Sequence, residues 1–314
     1  MTPLGASLGR SLLTLALVAM VVLGVYQGLW QWWGDPQAPS VWQGLWSADG
    51  ALAAALCLLS YGLRGQRWRL WVAACGHPTG WRQGMRVYLA GYSLTPTPGN
   101  LGEAVRGRLL RPTPLPTTTS VAVFAAERLQ DLLGLVLLAL PALMVIPFEG
   151  SALVVVMLSL LTLALLWSST QNWAWRWGLR WIPLKVKQVL GLTQAQQCLQ
   201  HRPTLTWTLT MLAWGAQGLA VWLMCRHHHL TVDILLASSS YALSMVAGAL
   251  TTLPAGLGGT EASLVGLFTQ QGASTALALL LTLQIRLLTL WLAVAIGLLA
   301  LVYGWRVDPP RSAS

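Results

Sequence analysis

Six charged residues lie within stretches of sequence that are otherwise apolar: Glu103, Glu127, Arg128, Asp131, Glu261 and Arg286. If these stretches lie in a membrane, a charge near the bilayer centre costs about 3 kcal/mol even on a permissive scale. Pairing lowers that cost. The four acidic residues can pair with three arginines, Arg106, Arg128 and Arg286. We therefore expect ion pairs among these residues or between them and a ligand.

Two short polar segments interrupt the apolar stretches and carry several of these charges. The first polar segment, Thr95–Leu110, reads TPTPGNLGEAVRGRLL, and the second polar segment, Leu253–Leu264, reads LPAGLGGTEASL. Glycine permits sharp bends and close approach of a ligand, and a helix that begins after a bend presents N–H groups to an anion. We predict a polar binding site built from Pro98, Gly99, Gly102, Glu103, Arg106, Glu127, Arg128, Asp131, Pro254, Gly256, Gly258, Glu261 and Arg286.

Several roles are open to these side chains. Arg128 and Arg286 would offer bidentate donors to a phosphate, with Arg106 nearer the rim. Glu103 and Glu261 could cap the helices that follow the breaks, hold the arginines without ligand, meet an amine-bearing headgroup or carry protons. In the alternative interpretation, buried ion pairs only fix the polar segments to the long helices.

The composition is that of a polytopic membrane protein. Of 314 residues, 55% are hydrophobic and 9% are charged. About 20 apolar residues cover a hydrocarbon core of ~30 Å as a helix, and several charge-free runs approach or exceed that length. These runs are Ser11–Gly34, Gly150–Trp175, Pro203–Cys225, Ile234–Thr260 and Ala262–Ile285. We predict a single membrane domain over residues 1–314, with the first span retained rather than cleaved.

The basic residues indicate the topology. The net charge of +10 is concentrated in clusters such as 64–86 and 176–202, which is typical of cytoplasmic loops and argues against a nucleic-acid partner. Basic residues flank the first polar segment on both sides, so we expect it to enter and leave from one face. The fold class predicted is an all-α polytopic membrane protein with about six full transmembrane helices plus two re-entrant Pro/Gly-broken hairpins. Both termini are expected in the cytoplasm, below a bacterial-type plasma (inner) membrane.

An internal repeat supports this arrangement. At an offset of 158 residues, without a gap, Glu103 falls on Glu261 and Arg128 on Arg286. We predict repeats over approximately 82–147 and 234–304. Three crossings separate the two hairpins, so the repeats would have opposite orientation, which is a recurring plan of transporters. A duplication retained only for packing is the alternative.

Other residues give weaker indications. His227, His228 and His229 lie close to Asp233, but three adjacent histidines lack a fixed ligand geometry, and we expect a solvated loop with no metal. The four cysteines have neither metal nor redox spacing and are expected to act as small apolar residues. The sequence contains no nucleotide-binding or hydrolase motif, and we expect no cofactor.

Three motifs carry a family resemblance. The sequence resembles the lysylphosphatidylglycerol synthase transmembrane family, described as flippase-like membrane proteins, at PGNLGEAVRGRLL, at AERLQDLLGLVLL (Ala126–Leu138) and at LPAGLGGTEASL followed by Arg286. Members include the membrane half of the bacterial multiple peptide resistance factor, which moves aminoacylated phosphatidylglycerol between leaflets. This sequence lacks the soluble aminoacyl-transferase domain of the fused members. The resemblance therefore implies a stand-alone counterpart of the membrane half, which moves lipid but does not make the lysyl-lipid.

The function expected is therefore movement of a lipid between leaflets. The lipid would be anionic, aminoacylated or a polyprenyl phosphate, with its headgroup in a polar site near the midplane. Two alternatives stay open: an intramembrane headgroup transferase, and a non-catalytic partner of a lipid-modifying enzyme. The partners expected are membrane lipids, with a homo-oligomer or an enzyme of lipid synthesis as further candidates.

Overall fold

A computed structural model describes residues 41–145, 158–159, 191–251 and 253–307, and the regular structure in these ranges is helical. The α-helices are α1 (Val41–Leu45), α2 (Ala48–Ala74), α3 (Trp81–Gly91), α4 (Thr117–Val145), α5 (Leu192–Gln200), α6 (Pro203–His227), α7 (Ile234–Leu250), α8 (Gly259–Gln270), α9 (Thr275–Arg286) and α10 (Leu292–Val307). Three 3₁₀ segments lie between them at Tyr92–Leu94, Pro98–Leu109 and Pro254–Gly256, and a π turn at Leu287–Trp291 joins α9 to α10.

Two helices begin directly after residues whose side chains cap them. The Ser47 hydroxyl accepts from the Gly50 N–H at 3.0 Å, at the start of α2. The Asp233 carboxylate accepts from the Leu236 N–H at 2.7 Å, at the start of α7. Such side chains satisfy N–H groups that the first turn of a helix leaves without a partner.

Of the helices predicted for the second half of the chain, two are present and one is divided. The predicted run Ala262–Ile285 is wrong as a single helix, because α8 ends at Gln270 and α9 begins at Thr275. The expected span Pro203–Cys225 is part of α6, and the expected stretch Ile234–Thr252 corresponds to α7. By length and composition, Pro203–His227 and Thr275–Gly304 could each cross a membrane. The predicted crossing Ser11–Gly34 lies outside the described residues, and so does nearly all of Gly150–Trp167. The number of crossings and the re-entrant form of the hairpins stay predictions.

One predicted boundary is wrong. We expected the basic cluster 64–86 to form a cytoplasmic loop, but α2 continues through Arg64 to Ala74. No proline interrupts the sequence after Leu63 until Pro78, so nothing stops the helix there. Arg64 and Arg67 are consequently buried within α2 instead of lying in a cytoplasmic loop.

Helices α2 and α6 pack extensively and run antiparallel. At one end, Arg226 near the end of α6 forms an ion pair with Asp49 in the first turn of α2. At the other end, Cys75 follows α2 and Cys198 lies on α5, the short helix before α6, and their sulfur atoms are 3.6 Å apart. The end of α2 is therefore close to the segment that leads into α6.

Helix α10 packs against α3 and the 3₁₀ turn that follows it. Gly297 makes this approach close, because an added Cβ there would clash with the backbone of Tyr92 and Ser93. The core beneath these helices contains the fully buried side chains of Trp68 and Trp71.

We predict that mild oxidation links Cys75 to Cys198, since their sulfur atoms are already in contact. Mass spectrometry of the digested, copper-phenanthroline-treated protein should yield one peptide pair containing these two residues. That product should be absent from the Cys75→Ser variant. Linkage of Cys75 to Cys57 or Cys225 instead would show that α2 and α5 are packed differently.

Candidate functional site

Arg106 lies at the centre of the first group of charges. Its side chain is 1% exposed and forms ion pairs with Glu127 on α4 and with Glu103 at 3.4 Å. The guanidinium also lies 4.5 Å from the centre of the Tyr88 ring. We had placed Arg106 near the rim, and this is wrong: it is among the most deeply buried side chains of the described residues.

Glu103 connects this centre to a more accessible arginine. One carboxylate oxygen accepts from the Thr95 hydroxyl at 2.7 Å, and the other pairs with Arg128 Nη2 at 2.7 Å. The Arg128 side chain is 39% exposed, so its guanidinium is within reach of a ligand. Of the roles considered for Glu103, the structure shows it holding arginines.

A second Glu–Arg pair lies at the second polar segment. Glu261 Oε1 is 2.6 Å from Arg286 Nε. The other oxygen of Glu261 accepts from the Gly258 N–H at 2.6 Å, so this residue both caps α8 and holds its arginine. Arg286 also donates from Nη2 to the Ala255 carbonyl at 2.9 Å, which ties α9 to the turn at Pro254–Gly256.

Glycine is needed where the second polar segment turns. Gly256 has φ +67° and Gly258 has φ +85°, in the left-handed region that glycine enters without strain. In the first polar segment, Gly102 instead permits close packing, because an added Cβ would lie 2.8 Å from Leu94 Cβ.

The two polar segments lie against each other. The 3₁₀ helix Pro98–Leu109 packs on the turn Pro254–Gly256, so the structure brings together the two halves expected from sequence. The 3₁₀ segment Pro98–Leu109 is irregular, because Asn100 within it has φ +55°. Helix α4 also packs on Pro98–Leu109.

Asp131 belongs to a different group of side chains from the one we expected. Its partner is Arg67 Nη1 at 2.8 Å, and neither Arg106, Arg128 nor Arg286 pairs with it in the described structure. The Trp214 indole N–H also donates to the same oxygen, at 3.2 Å. The interface of α2, α4 and α6 therefore holds a polar cluster beside the predicted site.

Sequence reasoning missed Arg64 and Arg67 because both were assigned to a loop. Their spacing of three residues and the tryptophans at 68 and 71 would have fitted one helix with a buried polar stripe. Arg64 donates to Gln217 Oε1 at 3.0 Å, and its guanidinium carbon lies 3.8 Å from the centre of the Trp214 ring.

His227 is the last residue of α6, and His228 and His229 follow it. His228 Nε2 lies 2.9 Å from Gln284 Oε1, and His227 Nδ1 lies 3.9 Å from Asp49. Within the part of the chain that the structure describes, no group of three or more His, Cys, Asp or Glu residues could hold a metal ion.

The Arg106–Glu127 pair offers a test of how charge is stabilised in this interior. The positions 158 residues later are Leu264 and Ile285, both buried. Arg106→Leu or Glu127→Ile alone would leave a charge without its partner and should cost about 3–5 kcal/mol, whereas replacing both is often neutral. We expect the double variant to melt close to wild type and well above either single variant in detergent. A double variant as unstable as the two losses added together would contradict this pairing.

Comparison with protein families gives a match over most of the chain. No curated protein matches the chain. The family model described as Lysylphosphatidylglycerol synthase TM region matches residues 11–297. The match includes both polar segments, both Glu–Arg pairs and the helices that position them. This chain therefore belongs to the lysylphosphatidylglycerol synthase transmembrane family, and it is a membrane protein whose described residues form helices and turns.

Proposed function

We propose that the protein moves a lipid with an anionic, aminoacylated or polyprenyl-phosphate headgroup between the two leaflets of a bacterial-type plasma membrane. The observation that carries this proposal is the presence of two Glu–Arg ion pairs on two polar segments that pack together. Glu103 pairs with Arg128 at 2.7 Å, and Glu261 pairs with Arg286 at 2.6 Å. Both pairs would interact with the headgroup while the lipid tails stay in the bilayer.

The equivalence of the two pairs supports an internal repeat over approximately 82–147 and 234–304. Each pair joins a glutamate to the arginine 25 residues later, and the pairs are offset by 158 residues. The same offset relates the beginning of α4 at Thr117 to the beginning of α9 at Thr275. In this proposal the repeats are inverted in the membrane, so that each leaflet has access to one of the two segments.

The accessibility of the pairs supports exchange with a ligand. One member of each pair is accessible: Arg128 is 39% exposed and Glu261 is 28% exposed, whereas Glu103 and Arg286 are buried. A phosphate could replace Glu103 as the partner of Arg128 through charge-assisted hydrogen bonds of comparable strength. An amine on the headgroup could pair with the carboxylate released in this way. Such exchange would keep charges compensated while a polar headgroup moves through an apolar layer.

The proposed orientation places both termini and the basic loops in the cytoplasm. Arg82, Arg108, Arg111 and Arg202 are exposed in the segments assigned to that side. Arg202 precedes the start of α6, whereas Arg226 lies near its other end, beside Asp49. Positively charged cytoplasmic surfaces also attract the anionic lipids proposed as substrates.

The test is leaflet transfer of labelled lipids in proteoliposomes. We expect Glu103→Gln, Arg128→Ala and Arg286→Ala each to reduce transfer at least roughly tenfold, equivalent to about 1.4 kcal/mol of lost stabilisation. The matched control is Arg108→Ala, because Arg108 is an exposed arginine on the same 3₁₀ helix as Glu103. The control should transfer lipid at the wild-type rate.

Three results would oppose the proposal. Wild-type protein that transfers none of the anionic, aminoacylated and polyprenyl-phosphate lipids would argue against transport. Lipid recovered with a changed mass would favour an intramembrane transferase. Equal transfer by the control and by the folded Glu103→Gln, Arg128→Ala and Arg286→Ala variants would show that both Glu–Arg pairs have only a structural role.

A further inference from the structure

One buried arginine has no acidic partner. Each of the four carboxylates at the site lies against an arginine, in the pairs Arg67–Asp131, Arg106–Glu127, Arg128–Glu103 and Arg286–Glu261. Arg64 forms no ion pair with any residue that the structure describes, although only 9% of it is exposed. The cluster therefore carries one positive charge that the described side chains do not compensate.

Neutral groups hold Arg64 in place. The face of its guanidinium lies against the Trp214 ring, 3.8 Å from the ring centre, and Nη2 donates to Gln217 Oε1 at 3.0 Å. Gln217 is fixed in turn by the Tyr241 hydroxyl, which donates to the same oxygen at 3.2 Å. A guanidinium oriented in this way by stacking and one hydrogen bond keeps its remaining donors available for an anion.

Arg64 belongs to a row of donors on one face of α2. Ser60, Arg64, Arg67 and Trp71 follow the i, i+4, i+7, i+11 spacing that places side chains on the same side of a helix. Each has a buried atom without a hydrogen-bond partner in the described structure: Ser60 Oγ, Arg64 Nε, Arg67 Nε and Nη2, and Trp71 Nε1. We call these four residues the donor stripe. Arg64 and Arg67 each have one partnered nitrogen, with Gln217 and with Asp131. Buried donors normally have partners, so the nitrogens left over on these two neighbouring arginines indicate a missing acceptor.

We propose that the donor stripe binds a phosphate group at Arg64, which is its principal ligand, with Arg67 as the neighbouring donor. Ser60 and Trp71 lie about 16 Å apart along α2, so one phosphate does not contact both. A phosphate supplies several acceptor oxygens to match several donors, and its negative charge compensates Arg64, which a water molecule cannot do. Arg64 is the entry point because it keeps 9% exposure, whereas Arg67 is fully buried and already paired with Asp131. The inference rests on the proposed function, because it gives the phosphate of a transported headgroup a binding site between α2 and α6.

The test measures thermal unfolding of the full chain in detergent at constant ionic strength set with chloride. The probes are inorganic phosphate, phosphatidylglycerol in mixed micelles, and diacylglycerol as a phosphate-free lipid. A ligand at about 100 times its Kd should raise the melting temperature of wild type by about 5 °C. Diacylglycerol should leave it unchanged. A shift with phosphatidylglycerol alone identifies a lipid phosphate, and a shift with both phosphate probes shows that free phosphate also binds.

Arg64→Gln should abolish these shifts, and Arg64→Lys, which keeps the charge but loses the planar fork, should retain only part of them. The matched control Arg108→Gln removes one exposed arginine and should shift as wild type does. Without probes, Arg64→Gln should melt no lower than wild type, because it removes a buried charge that lacks an acidic partner. If Arg64→Gln is less stable than wild type, the phosphate-dependent shifts are compared between wild type and Arg64→Lys instead.

No shift in wild type with either phosphate probe, or equal shifts in wild type and Arg64→Gln, would overturn the proposal. The outcome is separable from the transport proposal. Phosphate-dependent stabilisation without lipid transfer would leave the donor stripe standing as a binding site alone. Lipid transfer that is unchanged in Arg64→Gln, with no phosphate-dependent shift, would leave transport standing without this site.

Discussion

The pairing of buried charges determines how the described helices can be placed. Each carboxylate at the site lies against an arginine from another element, so the pairs join α2 to α4, α4 to the first polar segment, and α9 to the second. A buried charge that loses its partner destabilises the fold by several kcal/mol, so these elements cannot slide past one another without breaking pairs. The apolar faces provide the bulk of the packing, but they are less selective about register than the charges are.

The ion pairs differ in how deeply they are buried. Arg106 and Glu127 are enclosed, and the equivalent positions in the second half of the chain hold the buried apolar residues Leu264 and Ile285. A pair that an apolar pair can replace is a packing solution. The outer pairs, Glu103–Arg128 and Glu261–Arg286, each keep one exposed member, and in the proposed function these are the pairs that meet the ligand.

The sequence was sufficient to predict the long helices and the residues that meet at the polar segments, because caps, prolines and apolar runs are local signals. The run Pro203–Cys225, for example, was expected to be helical and lies within α6 at Pro203–His227. Partners and depth depend on packing between distant elements. The contact between Arg67 and Asp131 joins residues 64 positions apart, and nothing local distinguishes a buried arginine on α2 from one in a cytoplasmic loop. For the same reason, the depth of two arginines was predicted in the wrong order. Arg106 was expected nearer the rim than Arg128, but Arg106 is buried and Arg128 is partly exposed.

In the proposed function, a ligand that takes the arginine of an outer pair would leave neither Glu103 nor Glu261 without a hydrogen-bond partner. If a phosphate took Arg128, Glu103 would keep Arg106 and the Thr95 hydroxyl. If a ligand took Arg286 from Glu261, the carboxylate would keep the Gly258 N–H, and the arginine would keep its bond to the Ala255 carbonyl. Because the penalty for a buried charge arises when it has no partner, a second partner lowers the cost of the intermediate state. Two pairs built on this principle, on segments that touch, are what a headgroup would need to pass from one to the other.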